Sequence, residues 1–381
     1  MHVKNLPNNG VSVMQGNLAC AEGAIAAGCN FFAGYPITPA TEIAEHMSKR
    51  LMETGGYFVQ MEDELGSINA LIGASLAGGK AMTATSGPGY SLMQEGIGLA
   101  VQLERPVVIC DVMRGGPSSG QATNSSQGDV MQVKYGSHGD YEIAVLCPAS
   151  VQEAFDMTVR AFSLANKYYM PVIVLMDEII AHMREKATIP ETVEVFDEKY
   201  VGDRVKSYEP DDNLVPPRIS CFEGQQVYFD GCLHDYDGYR AGGNFKIAAQ
   251  NILHLRDKLL KNIDDITSVQ AQYDNENVDV AVIAYGSVSR ASSTAVENAR
   301  NHGLRVSHMK LDTLWPVPEK QIKEFASRAK KVLVPEMNTG KYVREIQRLL
   351  GLNRVEGLMS LGGELHHPDV IENKIKEMCL E

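Results

Sequence analysis

The sequence is short of clustered cysteines, of long apolar runs and of basic charge. Its seven cysteines fall at Cys20, Cys29, Cys110, Cys147, Cys221, Cys232 and Cys379, no two of them within four residues. That spacing excludes a zinc ribbon, a ferredoxin cluster motif and a thioredoxin pair. An odd number of scattered thiols fits a reducing compartment better than a disulfide framework. The longest apolar stretches, such as Pro171 to Met176, are strand-sized and far short of a membrane span. Met1 to Gly10 lacks the apolar core of a secretory signal, so the expected location is the cytoplasm. Lys and Arg total 35 against 48 Asp and Glu, a formal charge of -13, which argues against tracking nucleic-acid phosphates. No Walker-type loop, dinucleotide glycine fingerprint or serine elbow occurs, so ATP, NAD and hydrolysis are not specified. No segment repeats with a period of roughly 20–50 residues, which excludes a solenoid.

What is present is an ordinary globular composition, 44% hydrophobic and 22% charged over 381 residues. At roughly 150 residues per domain this is enough for two or three. Strand-like runs at Ala81 to Thr85, Pro106 to Met113 and Val172 to Met176 alternate with helical stretches at Asn17 to Ala27, Asp63 to Ala77, Tyr90 to Leu103 and Ser150 to Lys167. Runs without clear alternation, separated by helices, predict an α/β fold whose parallel sheet is covered on both faces. Residues 1–190 make this first unit. Residues 191–277, rich in proline and aspartate, predict a connector ending in a helix around Phe245 to Asn262. A second α/β unit follows over 278–381, opening on the buried strand Val278 to Tyr285.

Polar or glycine-rich segments recur where the predicted strands end, at Gly34 to Pro39, Glu62 to Glu64, Ser86 to Gly89 and Arg114 to Gly128. In open α/β sheets ligands bind beyond those ends. Each segment also has a plain reading. Ser86 to Gly89 makes a tight turn, Thr38 or Thr41 makes a helix N-cap, and Gly115 to Gly128 makes a surface loop. The carboxylates of Glu62, Asp63 and Glu64 pair favourably with a helix N-terminus; alternatively, one of them is buried and bonds a ligand nitrogen. Arg114 is the only basic residue between Arg105 and Lys134, and its planar fork suits a carboxylate.

In order along the chain stand Met14-Gln-Gly-Asn-Leu-Ala-Cys-Ala-Glu-Gly23, Gly34-Tyr-Pro-Ile-Thr-Pro39, Met61-Glu-Asp-Glu64, Thr83-Ala-Thr-Ser-Gly-Pro-Gly89, Arg114-Gly-Gly-Pro-Ser-Ser-Gly120, His234-Asp235 before Gly238, and Gly362-Gly-Glu-Leu-His-His-Pro368. Over essentially its whole length the sequence resembles the α subunit of 2-oxoacid:ferredoxin oxidoreductases, most of all the 2-oxoglutarate type. The resemblance implies a thiamine-diphosphate-enzyme pyrimidine-binding domain followed by a transketolase C-terminal-like α/β domain. It implies CoA-dependent oxidative decarboxylation of a 2-oxoacid, with electrons passed to ferredoxin. A separate β subunit would carry Mg2+, the diphosphate site and a [4Fe-4S] cluster, with small γ and δ subunits as further partners. This chain has no cysteine quartet and no GDG…N motif, so no metal site is expected on it, and no activity from it alone.

By position, the resemblance makes Glu64 the cofactor-activating glutamate, nine residues before Gly73-Ala74, with Glu62 as second choice. Its carboxylate would meet N1′ of the aminopyrimidine and favour the imino tautomer, more strongly in a low-dielectric setting. Pro36, Ile37 and Gly87 are placed beside the cofactor. Thr38 and Thr123 match substrate-contacting threonines, and Arg114 matches the arginine that holds the substrate carboxylate. Ser119 departs from the family's threonine, and Ala122 from the proline before Thr123, which predicts a less rigid loop. Tyr236 stands where an acidic residue is frequent.

The expected reaction takes 2-oxoglutarate to succinyl-CoA, with 2-oxoisovalerate or pyruvate as alternative substrates. Two other readings stay open: the β half of a lipoate-linked dehydrogenase, and a non-catalytic α/β scaffold subunit. A second substrate carboxylate needs another cation; His46, Lys49 and Arg50 follow Thr38 on one predicted helix, against the plainer reading of a solvated face. The net charge is -7 over residues 1–190, -7 over 191–274 and +1 over 275–381. Diphosphate, 2-oxoacid and CoA are all anions, so the missing countercharge points to a cation-bearing partner.

Overall fold

The computed structural model describes residues 2–6, 9–196, 206–219 and 227–380; Cys221 and part of the expected connector lie outside these. Runs dense in buried valine and isoleucine have no face to offer solvent, and they form the middle of an eight-stranded sheet. From edge to edge its order is Thr313–Trp315, Ala144–Leu146, Pro171–Asp177, Val107–Gly115, Ala81–Thr85, Phe31–Gly34 and Tyr57–Gln60, with Gln121–Ser125 paired onto the end of Val107–Gly115. From Ala144–Leu146 to Tyr57–Gln60 all neighbours are parallel. Thr85 lies opposite Asp111, and Met113 opposite Asp177, so the carboxyl ends and their loops gather at one edge.

Helices Gly16–Ala27, Thr41–Thr54 and Val151–Tyr168 bury their apolar residues on one face of this sheet. Glu64–Leu76 and Gly87–Gln102 cover the other. This second core runs on without a break, joining Ile109 and Ile173 to Ala281, Ile283 and Tyr342. Ala281 and Ile283 belong to a five-stranded sheet of order Val269–Gln272, Val306–Leu311, Val278–Ala284, Ala329–Glu336 and Val355–Met359, antiparallel only at its first pair. Strand Thr313–Trp315 then leaves this unit and adds an antiparallel edge to the first sheet. The two units thus share both a core and a sheet.

Local differences from the sequence reading have local causes. Gly28, at φ 92, ends helix Gly16–Ala27 in the left-handed conformation that glycine favours. The helix expected from Tyr90 starts at Gly87 instead, because Pro88 sits in the first turn, where no amide donor is needed. Neither Thr38 nor Thr41 caps the next helix: it starts at Thr41, with Ala40 before it and no side-chain cap. Gly10–Gln15 pairs only with Arg184–Ile189, outside the main sheet; Val11 and Val13 are 61% and 69% exposed and bring no core face. The polar run after Arg114 is no loose loop, since it contains the strand Gln121–Ser125.

Candidate active site

Asp63 caps helix Glu64–Leu76, its carboxylate accepting from the Gly66 amide at 2.7 Å, an interaction worth about 1 kcal/mol. The cap makes Glu64 the first helical residue. Glu64 is 4% exposed, whereas Glu62 is exposed, and burial thus separates the two carboxylates. Thr85 Oγ1 donates to Glu64 Oε1 at a long 3.5 Å. Gly89 stands against the same oxygen with no side chain. Burial pushes the Glu64 carboxyl above its usual range, and the negative Asp63 adds to this, while its own backbone amide and Thr85 oppose it. A buried carboxyl whose one side-chain donor is weak keeps hydrogen-bonding capacity for a further polar partner.

Arg114, near the end of Val107–Gly115, reaches past the strand Ala81–Thr85 to the loop after Phe31–Gly34. There its Nη1 donates to the Thr38 carbonyl at 2.7 Å, while its Nε is buried without a partner. A guanidinium with an unused donor is poised for an oxyanion. Thr38 itself is exposed and meets Arg114 through its backbone.

A cavity of about 720 Å³ opens between these loops and the second unit. Arg114, Gly87 and Asp129 line one side, and Asn338, Lys341 and Gly362 line the other. Of the residues singled out by sequence, Arg114 and Gly87 line it, while Glu64, Pro36, Ile37, Thr38 and Thr123 do not. Pro36 is exposed, and Ile37 is half-buried against the core. Thr123 is exposed midway along Gln121–Ser125, apart from the cavity. Arg114 pairs with Ser125, and Gly115 with Gln121. Gln121 Nε2 also donates to the Gly362 carbonyl at 3.0 Å. The ladder and the second unit both hold this loop.

Sequence reasoning missed Gln127 and Asp129, at the end of the polar run. Gln127 is fully buried and clamps the units together. Its amide donates to Met337 O at 2.9 Å, its Nε2 to Tyr285 O at 3.0 Å, and its Oε1 accepts from Met337 N at 3.2 Å. Burial pushes the Asp129 carboxyl up to about 6, although Lys341 and Arg114 draw it down. A Cβ on Gly87 would lie 2.9 Å from Asp129 Oδ2. Asp111, buried nearby with neither carboxylate oxygen partnered, is raised well above its usual range by burial and then by Asp129. The only sequence signal for these groups was a carboxylate closing a glycine-rich run.

His46 and Arg50 are committed elsewhere. His46 Nε2 lies 2.6 Å and Arg50 Nε 2.8 Å from Glu22 Oε1, tying helix Thr41–Thr54 to Gly16–Ala27, and Lys49 is exposed. None of the three lines the cavity. His234 packs at the far end of helix Gly87–Gln102, its Nε2 3.4 Å from Gln102 O, and Tyr236 Oη accepts from Gln250 at 2.6 Å. Among the described residues no group of three or more His, Cys, Asp or Glu is placed to hold a metal ion. None of the helices described is long and apolar enough to cross a membrane.

Two α/β units, the first with a buried glutamate at a helix start beneath the sheet's carboxyl edge, define a chain of the thiamine-diphosphate-binding class. Residues 22–253 match the family described as pyruvate flavodoxin/ferredoxin oxidoreductase, thiamine diP-binding, and residues 278–371 match pyruvate:ferredoxin oxidoreductase core domain II. The chain belongs to this family. It is 50% identical over 375 residues to the 2-oxoglutarate synthase subunit KorA of Methanothermobacter marburgensis, covering 96% of this chain and 98% of that one. The ketoisovalerate oxidoreductase subunit VorB of Methanothermobacter thermautotrophicus is 36% identical over 368 residues, covering 96% and 97%. A solved 2-oxoglutarate:ferredoxin oxidoreductase from Magnetococcus marinus, with 2-oxoglutarate, coenzyme A and succinyl-CoA bound, matches with a TM-score of 0.90 and 32% identity; the match covers 98% of this chain and 66% of that one.

Proposed function

We propose that this chain is the α subunit of a cytoplasmic 2-oxoglutarate:ferredoxin oxidoreductase, which converts 2-oxoglutarate and CoA to succinyl-CoA and CO2 and passes two electrons to ferredoxin. A β subunit carries Mg2+, the diphosphate site and the [4Fe-4S] cluster, with γ and δ subunits completing the complex. The observation that carries the reading is the buried Glu64 carboxyl faced by Gly89, in a chain 50% identical to a 2-oxoglutarate synthase subunit against 36% for a ketoisovalerate one.

The residues present fit the pyrimidine half of thiamine diphosphate. Glu64 would hold its ring nitrogen, Gly89 leaves room for that carboxyl at the helix start, and Gly87, Pro36 and Ile37 would lie beside the ring. When bound, the cofactor supplies a nucleophilic thiazolium carbon and an electron sink for the charge released with CO2. Glu64 holds or releases a proton at Oε1, where Thr85 orients it. Arg114 takes the substrate carboxylate on its unpartnered Nε edge, and Thr38 fixes the guanidinium from behind, so that the pair acts through orientation. The Gln127 clamp keeps the second unit over the cavity.

The test is 2-oxoglutarate- and CoA-dependent reduction of ferredoxin or viologen by the complex assembled with its partner subunits. Glu64→Ala should lower turnover by roughly 10²- to 10⁴-fold without loss of assembly. Full oxidative decarboxylation by that variant would favour the scaffold reading, and acyl transfer to lipoamide without viologen reduction would favour a lipoate-linked dehydrogenase.

A further inference from the structure

We propose that Lys341 selects a dicarboxylic 2-oxoacid, binding its distal carboxylate while Arg114 holds the carboxylate beside the keto group. The inference rests on the functional reading above and adds a residue to it. 2-Oxoglutarate differs from a monocarboxylic 2-oxoacid such as 2-oxobutyrate by a second anionic head. A site built to pair that head leaves a charge unmatched when the monocarboxylic analogue enters, and so discriminates strongly.

Among the described residues, Arg114 and Lys341 are the two cationic side chains lining the cavity of about 720 Å³, and they stand on opposite walls. Asp129 lies within electrostatic reach of both, which places them around one volume. The anions facing that volume are Asp129 and Glu364. Lys341 Nζ donates to the Gly128 carbonyl at 2.5 Å; an ammonium has three donors, so two remain for a ligand.

The turn that presents Lys341 is fixed before any ligand arrives. Its amide donates to Asn338 Oδ1 at 2.9 Å. Asn338 Nδ2 in turn donates to Gln127 O and to Glu336 Oε2, both at 2.9 Å, and lies 3.1 Å from Tyr285 Oη. The next two amides, of Tyr342 and Val343, donate to the buried Glu336 carboxylate at 2.9 and 2.8 Å. A cation held by so many buried bonds loses little freedom on binding. The helix cations expected to serve this purpose, His46 and Arg50, are bound to Glu22, which leaves Lys341 as the counterpart to Arg114 from this chain.

The experiment compares kcat/KM for 2-oxoglutarate and 2-oxobutyrate in the assembled complex of wild type, Lys341→Met and Lys341→Arg. Wild type should prefer 2-oxoglutarate. Lys341→Met should cut that preference by roughly 10- to 100-fold, chiefly through KM for 2-oxoglutarate, and Lys341→Arg should keep most of it. A wild-type preference that survives unchanged in assembled Lys341→Met overturns the proposal and leaves Lys341 as a staple to Gly128. A wild type with no preference for 2-oxoglutarate overturns the functional reading itself, and the inference falls with it. Should Lys341→Met fail to assemble, Lys341→Gln set against Lys341→Arg carries the same comparison.

Discussion

Gly89 occupies the one place from which a side chain would strike the Glu64 carboxyl: a Cβ there would lie 2.1 Å from Oε1 and 2.2 Å from Thr85 Oγ1. Glycine within a helix costs about 1 kcal/mol relative to alanine, and Gly89 lies inside helix Gly87–Gln102. The local preference of the helix therefore runs against this residue, and room for the carboxyl accounts for it.

Gly89→Ala should mimic loss of Glu64. The methyl displaces either the carboxyl or the helix start, with an overpacking cost of about 1–3 kcal/mol. The expected outcome is an assembled complex with turnover reduced nearly as far as in Glu64→Ala, read from viologen reduction beside a thermal melt. A normally active Gly89→Ala complex would show that Glu64 has no need of its observed position.

Arg114→Lys should not be conservative. Lysine offers a point charge in place of a fork that holds the Thr38 carbonyl and, on the proposed reading, would take the substrate carboxylate at the same time. KM for the 2-oxoacid should rise and kcat/KM fall by about 10²-fold, with KM for CoA little changed. Steady-state kinetics on the complex, varying each substrate in turn, separates the two. An equal rise in both KM values would move Arg114 from substrate positioning to general support of the cavity.

Much of this arrangement was legible in the sequence because it depends on short-range chemistry. The helix over Asn17 to Ala27, the strand Ala81–Thr85 and a helix beginning within the acidic cluster Glu62 to Glu64 follow from an alanine-rich run, a short apolar run and carboxylates suited to a helix N-terminus, and each forms. Resemblance then pointed to Glu64 and Arg114. What sequence could not supply was contact between distant segments. Lys341 faces the cavity because Asn338 is bonded to Gln127 and Lys341 itself to Gly128, each more than 200 positions away, and no local pattern records that pairing. Thr313–Trp315 joins a sheet built from the other half of the chain. His46 and Arg50 were candidates by proximity to Thr38 in sequence, yet they serve Glu22 on the neighbouring helix.

Asp129 makes stability depend on pH in a particular sense. Its carboxyl is raised from the ordinary 3.8 to about 6, mainly by burial, so between those values the folded chain binds more protons than the unfolded one. Stability from this group is therefore complete below 3.8 and lost as pH rises through about 6. Asp129→Asn, which cannot ionise, should match wild type near about pH 4 and exceed it above pH 7 by on the order of 1–3 kcal/mol. Thermal unfolding of both proteins across that range is the check. A variant less stable than wild type at neutral pH would mean that attraction to Lys341 and Arg114 outweighs burial.

Glu104 shows the opposite sign and anchors the long helix of the connector. It is fully buried at φ 51, between Lys258 Nζ at 2.5 Å and His254 Nε2 at 3.0 Å. Burial alone would raise its carboxyl, but Lys258 and His254 more than offset this and hold it down at about 2. The resulting stability is present above the ordinary carboxylate range and is lost as pH falls toward 2. Lys258→Met removes the ammonium and leaves a buried carboxylate with only the imidazole, which should cost about 3–5 kcal/mol at neutral pH. Adding Glu104→Gln should return part of that loss, since the stranded charge goes with it. Urea unfolding of the single and double variants measures both steps. A double variant no more stable than Lys258→Met would place the cost in lost packing of the lysine stem between the connector helix and Tyr169, whose carbonyl the same ammonium reaches at 3.0 Å.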